Sequence, residues 1–93
     1  MSIIKKLRKK IDRVDQNLLK ILAKRFKITQ KIGIYKKKKK FTVLDKRREK
    51  GIFRKRKILA KKLNLDSLLV EKIFKLIIKK VKENHRKIKN LKK

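Results

Sequence analysis

The apolar residues of the first third of the chain fall at Ile4, Leu7, Ile11, Val14, Leu18, Ile21, Ile28 and Ile32. Steps of three and four, with a single step of seven, draw one stripe along a helix. No glycine or proline interrupts that stripe before Gly33. The spacing predicts one helix over about residues 3–37. Such a helix is about 50 Å long at 1.5 Å per residue. A compact globule of 93 residues is only about 25–30 Å across. The helix must therefore project from its own subunit, and its stripe needs a second chain to cover it. A homodimer is the simplest closed solution.

Two more helices account for the rest. Thr42-Val43-Leu44-Asp45 has the form of a capping box, so a second helix is expected over about residues 43–62. Gly51 lies inside it, at a cost near 1 kcal/mol relative to alanine. Asn64-Leu65-Asp66 reads as a short connection, with Asp66 as the N-cap of a third helix over about residues 67–88. The stripe of that helix is Val70, Ile73, Phe74, Ile77, Val81 and, one turn on, His85. With two glycines and no proline in the whole chain, the expected fold is all-α: one domain over residues 1–93, a three-helix subunit with a very long first helix.

Composition narrows the function classes. There is no cysteine and one histidine, which removes disulfides, thiolate chemistry and the usual zinc ligand sets. No run approaches the ~18 apolar residues of a membrane span, and the first residues lack the apolar stretch of a secretory signal. A cytoplasmic protein with no membrane contact is the expectation. The net charge of +29 points first to polyanions. However, 28 of the 36 cations are lysines spread along the chain, only Lys36 to Lys40 forms a block, and four Phe and one Tyr are few for base stacking. A solvated lysine-rich surface accounts for this pattern, and specific nucleic-acid binding is not expected.

Several polar residues occupy positions suited to apolar ones. Arg25 fills the gap in the first stripe between Ile21 and Ile28. A guanidinium there is costly unless it meets a carboxylate of the bundle or an anionic ligand. Lys36, eleven residues on and about three turns away, projects from nearly the same face, so the two can line one cavity about 16 Å end to end. Asp45, Arg48 and Glu49 share a face of the second helix, either as a surface ion-pair ladder or as part of a site. His85 continues an apolar stripe, either as a packed residue or as a donor. Arg8 lies about 25 Å from Arg25 on another face, so one small ligand reaches both only across a dimer.

In order and spacing, these blocks resemble the all-helical chorismate mutases over residues 4 to about 88. The first is Leu7-Arg8-Lys9-Lys10-Ile11 with Asp15, running through Leu18-Leu19 into Ala23-Lys24-Arg25. Ile32-Gly33-Ile34-Tyr35-Lys36 is similar to the family's apolar-Gly-x-x-Lys, and Val43-Leu44-Asp45-Lys46-Arg47-Arg48-Glu49 to its Val-x-Asp-x-x-Arg-Glu. Leu65-Asp66 and Ile73-Phe74-x-x-Ile77-Ile78 match its third helix.

The resemblance implies an intertwined homodimeric helical bundle with two sites. These sites convert chorismate to prephenate by an intramolecular [3,3] rearrangement, on the route to phenylalanine and tyrosine. No cofactor or metal is implied. Arg25 and Arg8 of the partner subunit would grip the two carboxylates. Lys36 would donate to the ether oxygen, Glu49 would take the hydroxyl, and Asp45 and Arg48 would complete the site. Two positions depart from the pattern: Val81 stands where many relatives have serine, and His85 where they have Gln or Glu facing the ether oxygen. An isochorismate pyruvate-lyase and a non-catalytic basic helical nucleic-acid-binding dimer are the alternatives.

Overall fold

The computed structural model of the protein describes residues 2–39 and 46–90. Three helices, α1 (Ile3–Lys39), α2 (Lys46–Lys62) and α3 (Ser67–Asn90), make up the architecture. Among the described residues there are no strands, in keeping with the all-α expectation. Asp45 and the Thr42 capping box lie outside the described residues.

Helix α1 carries 37 residues and continues into the lysine block that the stripe alone would have used as its end. Its N-terminus is capped by Ser2, whose Oγ accepts from the Lys5 amide at 3.3 Å. The α2–α3 turn is held by backbone geometry that the sequence marks. Leu65 N–H donates to the Ala60 carbonyl at 2.8 Å and Asn64 N–H to that of Lys61 at 3.2 Å. Asn64 sits between them in the left-handed region, at φ 58°. This pair of bonds is the Schellman arrangement, and asparagine is the common non-glycine residue there. Asp66 then caps α3, its Oδ1 accepting from the Leu68 amide at 2.9 Å.

Helix α3 packs against both α1 and α2, and no comparable backbone contact joins α1 to α2. It is antiparallel to α2: Lys57 of α2 pairs with Glu71 near the start of α3, and Glu49 pairs with Lys82 near its end. On α1 it covers only the C-terminal half, where His85 lies against Gly33 and Thr29. The N-terminal half projects with its stripe uncovered, Ile4, Leu7, Ile11, Val14, Leu18 and Ile21 all being exposed.

The shape shows how much is left uncovered. The molecule measures 57 × 29 × 14 Å with a radius of gyration of 17.1 Å, against about 12 Å for a compact chain of this length. It exposes 8620 Å², where a compact protein of its mass exposes roughly 5,700 Å². Ile52 and Ala60 are the only buried hydrophobic side chains among the described residues, and neither is sealed off completely.

The two glycines have opposite reasons for being there. A Cβ on Gly33 would stand 2.6 Å from His85 Cδ2 and 3.1 Å from Ile88 Cδ1, whereas one on Gly51 would meet nothing within 4 Å. Gly51→Ala is therefore expected to stabilise the protein by about 0.5–1 kcal/mol through helix propensity. Gly33→Ala should cost about 1–3 kcal/mol through overpacking. Urea denaturation of the two variants checks both signs.

Candidate active site

At the contact between α1 and α3 lies the one buried polar side chain among the described residues. His85 is 7% exposed, and its Nε2 donates to the main-chain carbonyl of Thr29 at 2.7 Å. That carbonyl keeps a second lone pair for the helix. Gly33, one turn further along α1, is what lets the ring in, since a Cβ would sit 3.0 Å from Nε2. The Thr29 hydroxyl donates back to the Phe26 carbonyl at 3.1 Å, so it is turned to its own helix.

Beside this contact the three helices enclose a half-open cleft of about 140 Å³. Helix α1 contributes Arg25, Thr29, Ile32 and Lys36. Arg48, Glu49 and Ile52 come from α2, and Ile78, Val81, Lys82 and His85 from α3. The walls are largely aliphatic, and among the described residues four cations face one carboxylate. The structure thus brings Arg25, Lys36, Arg48, Glu49, Val81 and His85 to one place. Arg8 is exposed on the projecting half of α1 and does not reach the cleft within the same chain. Lys82 had no signal in the sequence, being one lysine among 28. Its Nζ forms an ion pair with Glu49 Oε1.

Arg25 lines the cleft from α1. Among the described residues no carboxylate pairs with it. Its guanidinium lies over the Phe74 ring at 5.8 Å, and Arg56 approaches the same ring at 5.5 Å. Burial, and then the charges of Arg56 and Arg48, push the Arg25 guanidinium below its ordinary value, so each of these influences disfavours its cation. The group stays charged because arginine titrates far above neutrality. A partly buried cation crowded by two others is a position that an anion would relieve.

Among the described residues the subunit is all-helical, with an aliphatic, cation-lined cleft between its three helices. Its sequence matches the profile of the family Chorismate mutase type II over residues 7–86. The chain belongs to that family. It is 33% identical over 72 residues to the chorismate mutase of Methanocaldococcus jannaschii, a match covering 77% of this chain and 73% of that protein. It is also similar to two bifunctional chorismate mutase/prephenate dehydratases. For the protein of Aquifex aeolicus the identity is 40% over 55 residues, or 59% of this chain. For that of Buchnera aphidicola it is 34% over 83 residues, or 89% of this chain. The matches span only 15% and 22% of those two longer relatives.

If Arg25 is kept for a ligand, its removal should not unfold the protein. The urea midpoint of Arg25→Met is expected to equal or exceed that of wild type at low salt. Any gain should shrink towards 1 M salt, where the screening length is about 3 Å. A large loss of stability would instead mark Arg25 as a structural residue.

Proposed function

We infer that this chain is a chorismate mutase, an isomerase that rearranges chorismate to prephenate in aromatic amino-acid biosynthesis. The observation that carries this reading beyond family membership is the state of Arg25: desolvated, crowded by cations and without a carboxylate among the described residues.

The chemistry asks for what the cleft has. A pericyclic shift breaks the ether C–O bond and forms a C–C bond in one step. It requires no proton transfer and no nucleophile. The protein has to hold a flexible dianion in a compact chair-like geometry, which is a proximity and orientation effect. It has also to meet the negative charge that develops on the ether oxygen with fixed donors in a dry site.

Arg25 takes one carboxylate, its planar fork matching the two oxygens. Lys36 donates to the ether oxygen, Glu49 accepts from the hydroxyl, and Arg48 completes the polar wall. Ile32, Ile52, Ile78 and Val81 supply the aliphatic surface that excludes water. His85 lines the same cleft, but its Nε2 hydrogen is spent on Thr29. A bond from His85 to the ether oxygen therefore falls to Nδ1, which carries a hydrogen only in the imidazolium once Nε2 is protonated. The neutral ring acts as a brace between α1 and α3.

The second carboxylate goes to Arg8 of the partner subunit in an intertwined homodimer. The exposed stripe from Ile4 to Ile21 supports this assembly, as does a surface about half again that of a compact monomer. Within one chain Arg8 and Arg25 are about 25 Å apart along α1.

Purified protein should convert chorismate to prephenate and leave isochorismate uncleaved. Arg25→Ala and Arg8→Ala should each lower kcat/KM by about 100-fold or more, the scale of losing a preorganised charged donor. Mixing the two inactive variants with subunit exchange should then recover about a quarter of wild-type activity per chain, since half the dimers are mixed and one of their two sites is intact. No recovery from mixed dimers would remove Arg8 from the site. Absence of prephenate formation by wild type would remove the mutase reading.

A further inference from the structure

Helix α3 turns four side chains to the cleft: Ile78, Val81, Lys82 and His85. Ile78 and Val81 have no polar atom, and the Nε2 hydrogen of His85 is committed to Thr29. The ammonium of Lys82 is therefore the main polar group that α3 offers there. It is not directed outward like most lysines of this chain. Its side chain is 24% exposed, and it meets Glu49, 21% exposed, across the cleft wall.

The other ion pairs are of a different kind. Lys75–Glu71 and Lys80–Glu83 join neighbours one turn apart on α3. Lys57–Glu71 joins α2 to α3, as Glu49–Lys82 does, but neither of its members lines the cleft. Lys82–Glu49 alone among these four puts a helix–helix pair into the proposed site.

Glu49 is an awkward group to keep where a dianion must bind. It is wanted as an acceptor for the hydroxyl, yet its own charge repels both substrate carboxylates. An ammonium with three N–H groups on a flexible stem can offset that charge and fix the carboxylate while leaving its second oxygen, Oε2, as acceptor. We propose that Lys82 is a positioning residue for this reaction, acting on the substrate through Glu49. It holds the carboxylate aimed at the hydroxyl and balances its charge against the dianion. The inference rests on the mutase reading and adds to it a residue one place along α3 from Val81.

Steady-state kinetics on chorismate test it, with wild type, Lys82→Met, Lys82→Arg, Glu49→Gln, the Lys82→Met/Glu49→Gln double variant, and Lys57→Met as a control. Loss of one partner of a desolvated charge pair leaves the other uncompensated. Lys82→Met should therefore lower kcat/KM by about 10-fold or more, chiefly through KM, while Lys82→Arg stays within about threefold of wild type.

In the Glu49→Gln background the same Lys82→Met change should cost less than about twofold, because the charge it balances is gone. Lys57→Met, which breaks the α2–α3 pair away from the cleft, should leave KM unchanged. An equal penalty for Lys82→Met in both backgrounds would overturn the proposal, as would no penalty in an active wild-type background, or a matching KM change in Lys57→Met. A wild type that makes no prephenate would instead sink the mutase reading itself, and this inference with it. Should Lys82→Met fail to fold, the Lys82→Arg variant and the Lys82→Met/Glu49→Gln double variant still decide. A threefold or smaller change in the first with near-Glu49→Gln kinetics in the second supports coupling through Glu49, and any other combination refutes it.

Discussion

One contact sets the relation of the helices. The His85 ring lies on the bare backbone of Gly33 and donates to the Thr29 carbonyl. It pins the far half of α1 to the far half of α3. Because α3 is 24 residues long and α1 is 37, pinning them there leaves the near half of α1 without a neighbour in its own chain. The same contact places Arg25, just over one turn before Thr29, beside Phe74 on α3. It also places Lys36 one turn past Ile32 at the other end of the cleft. Helix α2 closes the third side through its own antiparallel packing on α3. The cleft and the uncovered stripe are thus two results of one register.

Much of this was legible in the sequence because it is written in periodicity. The stripe from Ile4 to Ile32 fixes α1, and its single missing step exposes Arg25 as a polar residue in an apolar slot. Counting turns was enough to put Lys36 on the same face and Arg8 out of reach. Asn64-Leu65-Asp66 marked the α2–α3 connection, with Asp66 as the side-chain cap of α3.

What was not legible depends on backbone atoms or on lysines without distinction. The acceptor for His85 is a main-chain carbonyl, which no residue type announces. Its expected role as a donor to the ligand had no way of including that competitor. Gly33 stood in a family-like motif, but its purpose is visible only when His85 is seen 2.6 Å from where a Cβ would be. Lys82 could not be picked out from a chain in which 36 of 93 residues are cationic. Only its burial against Glu49 distinguishes it.

The account turns on Arg25 as a cation held ready for a carboxylate. The most direct test is a crystal structure of the protein with a stable cyclic dicarboxylate that mimics the chair-like geometry. The account predicts one carboxylate within about 3 Å of the Arg25 guanidinium, as a charge-assisted hydrogen bond requires, and the other on Arg8 of the partner subunit. A ligand bound elsewhere, or bound in the cleft with Arg25 still on Phe74 and no carboxylate at its guanidinium, would contradict it.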